Sequence, residues 1–194
     1  KVVEQIFAYL EVTYGPCPDD ARAFFVYGDW AMADRTGLCL VLPYSADIEG
    51  RDPKTGFIPK GCNYAQQLIR LLRQHDLDWG VLTNGRHWRL FHRTELSPTE
   101  TYLDVDLERI IAADDIQNYI VFHRFFSRPA FARHEGRQRL DLYKQQSDEA
   151  ARVIEKHLSA HVEEIVRHLC QGLVESCCAA GEDVTAPARR AEIY

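Results

Sequence analysis

The most regular alternation of hydrophobic and polar positions lies in segment 76–93, whose sequence is DLDWGVLTNGRHWRLFHR. Two β-rich runs, Trp79–Thr83 and Trp88–Phe91, flank the dipeptide Asn84-Gly85. Asn and Gly adopt positive φ more easily than other residues, and a type I′ turn needs positive φ at both central positions. The segment therefore predicts a β-hairpin closed by a two-residue type I′ turn. Its Trp, Val, Leu and Phe side chains predict that both strands are largely buried.

The apolar pattern before this hairpin predicts a sheet with a crossover helix. The continuous apolar run Leu38–Leu42 is typical of a central strand that is covered on both faces. A helix, Asn63–Gln74, follows it and has Asn63 as its N-cap. The other predicted elements of this part are a helix Val2–Leu10, a strand Phe24–Met32, a turn Asp34–Gly37, a long exposed loop Ser45–Gly61 and a strand Thr101–Val105. This order is typical of an α/β core.

After residue 105 the pattern becomes helical. The predicted helices are Leu107–Ala113 with Asp106 as N-cap, Asp115–Phe126, and a long helix that begins at Leu140 or Ser147 and ends near Ala179. The apolar residues of the long helix recur every three or four positions, namely Ala150, Ile154, Leu158, Val162, Ile165, Leu169 and Leu173. Such a narrow stripe predicts packing against residues 119–126 or against another chain. We expect an α/β domain over residues 1–105 and a helical extension over residues 106–194.

Composition narrows the class of protein. The chain has 194 residues, 46% of them hydrophobic, and a formal net charge of -6, which argues against a wholly basic nucleic-acid-binding protein. It contains no apolar run of transmembrane length and no signal-peptide pattern, so we expect no membrane association. Six cysteines without a CxxC motif predict reduced thiols and a cytoplasmic protein. Because the chain begins with Lys1, we expect it to be a piece of a longer polypeptide.

The hairpin sequence, preceded by YAQQLIRLLRQHDLD, resembles the amino-terminal nuclease-like domain of fused restriction-modification enzymes. That family comprises type IIG restriction-methyltransferases and related phage-defence methyltransferases, including those of BREX-type systems, and type I restriction subunits share a weaker version. Segments Asp104–Leu107, Phe122–Phe131 and Gln145–Ser147 also resemble the family, so the similarity covers roughly Phe24–Leu173. The resemblance implies a PD-(D/E)xK fold, a restriction-endonuclease-like mixed sheet with flanking helices, followed here by an α-helical extension.

The resemblance also implies a site. The chemistry of that fold uses a carboxylate on one strand and Glu-x-Lys on the next, which hold a divalent metal ion and activate water. Matched to the family, Asp29 is the metal carboxylate and Gln67 is the amide on the following helix, while Leu40 and Leu42 replace the Glu and the Lys. Because leucine supplies neither a ligand nor a base, we expect the nuclease centre to be vestigial, with no metal or cofactor in this chain.

The sequence contains two other candidate metal sites. Asp47 and Glu49 follow the central strand, and a rearranged site built on them would make the chain an active Mg²⁺-dependent endonuclease. His157 and His161 lie one turn apart on the predicted long helix, with His168 beyond them, and a helical histidine pair is able to bind zinc. The simpler interpretation is that these histidines flank a packing stripe.

Basic residues concentrate on the loop, the helix and the hairpin of the α/β part. Phosphate contacts require such charge, and acidic residues farther away than a Debye length do not cancel it. The candidates for contact with double-stranded DNA are Arg51, Lys54, Lys60 and Arg86. The family resemblance implies an inactive fragment of a DNA adenine methyltransferase that contacts DNA or braces the methyltransferase and target-recognition regions. The parent protein would use S-adenosylmethionine. A pure protein-interaction scaffold is a further alternative.

Overall fold

The computed structural model describes residues 2–29, 33–49, 63–94 and 102–179. The strands are β1 (Thr13–Pro16), β2 (Ala23–Asp29), β3 (Asp34–Val41), β4 (Trp79–Thr83), β5 (His87–His92), β6 (Leu103–Asp106), β7 (Arg133–His134) and β8 (Arg137–Gln138). The helices are α1 (Val2–Tyr9), α2 (Tyr64–Gln74), α3 (Leu107–Ala112), α4 (Ile116–Phe126), α5 (Arg128–Phe131) and α6 (Arg139–Ala179).

Strands β1 to β6 form one mixed sheet in the order β1-β2-β3-β4-β5-β6. Neighbouring strands are antiparallel except β3 and β4, which are parallel and are connected by α2. A parallel pair needs such a crossover connection, so the predicted crossover helix is confirmed. The protein is thus a mixed α/β fold with helices beside a six-stranded sheet and a long C-terminal helix.

Helix α2 covers one face of the sheet. Its apolar residues Leu68 and Leu72 approach Gly80 of β4 so closely that a Cβ there would lie 2.8 Å from Leu72 and 3.1 Å from Leu68. The same core includes Leu40 and Leu82 from the two parallel strands. Gly80 therefore allows the helix to approach the sheet, and a larger residue would push it away.

An aromatic cluster covers the other face. Trp88 of β5 is fully buried, and its ring lies 5.8 Å from Phe7 of α1, 5.4 Å from Phe122 and 5.7 Å from Phe126 of α4. Successive residues of a strand point to opposite faces, and Phe91 on the same strand belongs to the core beneath α2. Both predicted hairpin strands are therefore buried on two faces, as their composition indicates.

The hairpin loop differs from the predicted two-residue type I′ turn. Thr83 pairs with Trp88, so the loop comprises residues 84–87, and within it positive φ occurs at Gly85 (90°) but not at Asn84. The Asn84 side-chain oxygen accepts from the backbone N–H groups of Arg86 (3.0 Å) and His87 (2.8 Å). The type I′ assignment is wrong because this side-chain acceptor supports a wider loop.

Segment Asp34–Gly37, predicted as a turn, belongs to β3. Asp34 pairs with Asp29 in the antiparallel ladder, and the Thr36 hydroxyl donates to the Val26 carbonyl oxygen at 3.4 Å. The polar composition of Asp34–Gly37 is typical of a turn, but the turn prediction is wrong. The hydrogen-bonded ladder between β2 and β3 includes these residues. Residues 30–32 of the predicted first strand lie outside the described residues.

The chain divides into two compact units, Lys1–Leu142 and Tyr143–Tyr194. The sequence placed a division after residue 105, but α3, α4 and α5 lie in the same unit as the sheet. Helix α6 begins in the first unit, where Leu140 is fully buried and Asp141 accepts from the Trp79 indole N–H at 2.7 Å.

The described part of the second unit continues α6, and its predicted stripe is exposed. Leu158, Ile165 and Leu169 expose 62%, 58% and 62% of their surface. The expected packing of this stripe against residues 119–126 stays a prediction, because those residues belong to the other unit. None of the helices described here is both long and apolar enough to cross a membrane.

Candidate functional site

The structure does not bring the predicted carboxylate, Asp29, to the predicted site. The antiparallel ladder pairs Ala23 of β2 with Leu40 of β3, and it pairs Asp29 with Asp34 at the other end. A strand rises about 3.3 Å per residue, so Asp29 lies about 20 Å from the position of Leu40 along the ladder. Asp29 is exposed there, and Leu40 is buried in the core beneath α2.

A different carboxylate, Asp20, occupies the end of the sheet where Leu42 lies. The Val41 backbone N–H donates to the Arg22 carbonyl oxygen at 2.9 Å, which places the segment before β2 beside the end of β3. Gln67 of α2 donates through Nε2 to Asp20 Oδ2 at 2.6 Å. The predicted amide is therefore in contact with a carboxylate, but that carboxylate is Asp20, in the turn before β2, and not Asp29.

Local sequence positions both partners. The Asp20 side chain accepts from the Arg22 backbone N–H at 2.9 Å, and its carbonyl oxygen accepts from the Ala23 N–H at 2.9 Å, so Asp20 folds the turn that leads into β2. On the other side, Asn63 and Gln66 form a capping box that starts α2 and brings Gln67 onto its first turn.

The Asp20 carboxylate is buried and fully engaged. Its residue is 5% exposed, and the Arg22 guanidinium donates to Oδ1 at 3.1 Å and to Oδ2 at 2.9 Å. Burial by itself raises the pKa of Asp20, but the hydrogen bonds and charge of Arg22, with the hydrogen bond from Gln67, outweigh it and hold the pKa below its ordinary value. Each carboxylate oxygen thus takes two donors, and Asp20 stays ionised at neutral pH.

The surroundings of this carboxylate are apolar on the β3 side. Leu40 is 0% and Leu42 is 4% exposed, and both belong to the core that α2 covers. The remaining polar atom is Gln67 Oε1, which is buried and has no hydrogen-bond partner among the described residues. No second acidic side chain of the described residues bonds to Asp20 or to Gln67. The cluster therefore contains one carboxylate, whose oxygens already accept hydrogen bonds from Arg22 and Gln67, and one amide oxygen.

The acids that follow β3 are engaged elsewhere. Glu49 accepts from Arg89 Nη2 at 2.8 Å, and Arg89 Nε donates to Asp104 at 3.3 Å. The guanidinium of Arg89 also lies 4.4 Å from the centre of the Tyr102 ring. Asp47 accepts from the backbone N–H of Glu49 at 3.0 Å. Glu49 therefore connects the segment after β3 to β5, Asp47 bonds locally to the Glu49 backbone, and neither side chain bonds to Asp20.

The basic residues of the hairpin are paired with acids. Arg86, a predicted DNA contact, lies 3.3 Å from Asp106 and 3.1 Å from Glu108. Arg93 forms ion pairs with Asp78, at 2.8 Å, and with Asp76. The other predicted DNA contacts, Arg51, Lys54 and Lys60, lie outside the described residues. The described face of the hairpin thus offers little uncompensated positive charge.

Sequence reasoning missed Asp20 because it searched the far end of the first strand. A usable signal existed, since Asp20 lies three residues before Ala23, where the apolar run begins. The strand pairing decides which residues of β2 and β3 lie next to each other. Patterns of single residues along the sequence do not specify this pairing. Compared with models of protein families, with curated proteins and with solved structures, the chain matches none.

Proposed function

We propose that this chain is a non-cleaving nuclease-like domain that braces the methyltransferase and target-recognition regions of a parent DNA methyltransferase of the restriction or phage-defence type. The observation that carries the proposal is the Asp20–Arg22–Gln67 cluster beside Leu40 and Leu42. The cluster joins the turn before β2 to the first turn of α2, and its polar groups bond to one another.

Chemistry supports the non-cleaving part of the proposal. Metal-assisted phosphate hydrolysis requires free carboxylate oxygens to hold Mg²⁺ and a group that helps to activate water. Both oxygens of Asp20 are occupied by Arg22 and Gln67, so a metal ion would have to displace an ion pair. Leucine at positions 40 and 42 supplies no ligand. The cluster therefore fastens the turn before β2 to α2.

Charge and exposure support the bracing part. The hairpin arginines are compensated by neighbouring acids, whereas the apolar side chains of α6 are exposed over a helix of 41 residues. An exposed apolar stripe of that length marks a surface for protein contact. In the proposed parent protein, other regions of the same chain would cover it.

Contact with DNA is a second candidate function, and one observation favours it. Arg70 and Arg73 lie on the solvent side of α2 and are exposed, and neither forms an ion pair within the described residues. Two uncompensated guanidinium groups on one helix face would suit phosphate oxygens. Binding of this kind would be independent of DNA sequence and steeply weakened by salt.

A plasmid-cleavage assay tests the non-cleaving proposal. Supercoiled plasmid incubated with the purified chain and Mg²⁺ or Mn²⁺ should remain supercoiled. Asp20→Asn and Asp29→Asn are the matched variants. Metal-dependent nicking that Asp20→Asn abolishes and Asp29→Asn retains would overturn the proposal and establish an active endonuclease.

Two binding assays separate bracing from DNA contact. The remaining regions of the parent protein, expressed as a separate chain, should bind the wild type and lose binding to Leu158→Asp, with the exposed Glu155→Gln as control. Fluorescence anisotropy with a short duplex at low and moderate salt measures DNA contact. If Arg70→Ala combined with Arg73→Ala weakens binding to all duplexes alike, with a salt slope lower by about one unit per lost contact, the DNA function is supported. Intact binding in that variant rejects it.

A further inference from the structure

Three side chains able to bind a transition metal converge at the end of α2, outside the Asp20 cluster. Cys17 follows β1, Asp19 lies in the turn before β2, and His75 is the C-cap of α2. His75 Nε2 lies 3.6 Å from Cys17 Sγ and 2.7 Å from Asp19 Oδ2, and the Cys17 sulfur lies 3.9 Å from the same carboxylate oxygen. All three potential ligand atoms lie within 4.8 Å of one another.

The separations fit a tetrahedral ion. With zinc–sulfur bonds of about 2.3 Å and zinc–nitrogen or zinc–oxygen bonds of about 2.1 Å, tetrahedral geometry separates S and N by about 3.6 Å and N and O by about 3.4 Å. The observed sulfur–nitrogen distance already has this value. The nitrogen–oxygen distance is that of a hydrogen bond, so a metal ion would replace the proton between His75 and Asp19 after these two side chains move apart by less than an ångström.

The surroundings hold these ligands in place. Cys17 is 4% exposed and belongs to the core beneath α2, and the His75 ring packs edge-on against Phe25 at 4.9 Å. The His75 and Asp19 side chains are 15% and 34% exposed. One side of the cluster therefore reaches solvent, which leaves room for a water molecule as fourth ligand.

We propose that Cys17, Asp19 and His75 form a binding site for one zinc ion. Thiolate, imidazole and carboxylate together suit a borderline-soft divalent ion such as Zn²⁺ and not Mg²⁺, which prefers oxygen ligands throughout. On binding, the Cys17 thiol loses its proton to solvent and the sulfur lone pair forms the bond to zinc. His75 binds as neutral imidazole with its ring proton on Nδ1, so Nε2 donates its lone pair, and one Asp19 carboxylate oxygen donates another. The ion ties the β1–β2 connection to the end of α2.

Cobalt is the direct probe of this site. After treatment with a chelator and its removal, the 194-residue chain is titrated with Co²⁺. We expect one equivalent to bind and to give a thiolate-to-cobalt charge-transfer band with the visible bands of tetrahedral Co²⁺, which Zn²⁺ then bleaches. Zinc should also raise the Tm in a concentration-dependent way and release protons into weakly buffered solution.

Single variants identify the ligands. Cys17→Ser should abolish the charge-transfer band. Changes in outer-shell partners of zinc sites cost about 10–100-fold in affinity, so loss of a direct ligand in His75→Gln or Asp19→Asn should cost at least about tenfold. Cys170→Ser, at a half-buried position of α6, and His161→Gln, at an exposed position of the same helix, are the matched controls and should bind cobalt as the wild type does.

Each result decides the proposal. A wild type without the thiolate band binds no metal at Cys17, and the proposal is then wrong. Retention of the band in Cys17→Ser, or its loss in Cys170→Ser, would move the site to another cysteine. Near-ultraviolet circular dichroism without metal checks that the variants fold. The wild-type band and proton release do not depend on any variant.

Discussion

Substitution of Asp20 by Asn tests the buried cluster most directly. Asn keeps the shape of the side chain but replaces one acceptor oxygen with an NH₂ group. In the wild type, Oδ2 accepts hydrogen bonds from Arg22, at 2.9 Å, and from Gln67, at 2.6 Å. An NH₂ group at that position cannot accept them, so donor groups would face one another. Hydrogen bonds to charged groups contribute about 1.5–3 kcal/mol each, and part of this is recovered because Arg22 reaches solvent. We expect the free energy of unfolding to fall by about 2–4 kcal/mol at pH 7.

The pH dependence gives the expected effect a second signature. Because the folded-state pKa of Asp20 lies below its ordinary value of 3.8, its contribution to stability is fully present above that value and is lost as the pH falls through the folded pKa. The difference between wild type and Asp20→Asn should therefore be constant between about pH 7 and pH 5 and should shrink below about pH 4.

Urea unfolding followed by tryptophan fluorescence measures both effects, since Trp79 and Trp88 lie in the sheet. Asp29→Asn is the matched control, because Asp29 is an exposed carboxylate at the far end of β2, and the loss in the free energy of unfolding should stay below about 1 kcal/mol. Equal stability of Asp20→Asn and wild type would refute the argument. So would an Asp29→Asn variant that loses as much stability as Asp20→Asn.

Three further predictions concern the hairpin and α6. Trp88→Ala removes the fully buried ring between Phe7 and Phe122, so urea unfolding should show a loss of about 3–5 kcal/mol, and a loss below about 1 kcal/mol would contradict the packing. Ile165→Ala should change the free energy of unfolding of the isolated chain by less than about 1 kcal/mol, because Ile165 is 58% exposed. A larger loss in urea unfolding would show that a second copy of the chain buries this side chain. Arg86→Ala should bind duplex DNA with an affinity within about twofold of the wild type in the anisotropy assay, because Asp106 and Glu108 compensate the charge of Arg86. A lower salt slope in Arg86→Ala than in the wild type would show that Arg86 contacts phosphate.

Local patterns were sufficient to predict most of the helices and strands, although not the short elements β1, α5, β7 and β8. Asn63, Asp106 and Asp115 cap the helices that begin at the next residue, because a short polar side chain can bond to the first free N–H groups without tertiary contacts. The two hairpin strands were predictable from their periodicity, and α2 from its apolar stripe. Periodicity and capping act over a few residues, so the sequence alone determined where most helices and strands lie.

Tertiary structure decided which distant residues meet. Gln67 was predicted as a site residue, but its partner became known only from the antiparallel register, which brings Asp20 to it and carries Asp29 to the other end of the ladder. The same holds for His75, which meets Cys17 across 58 positions of sequence. Strand register and helix placement result from the packing of the whole core, and no local pattern contains that information.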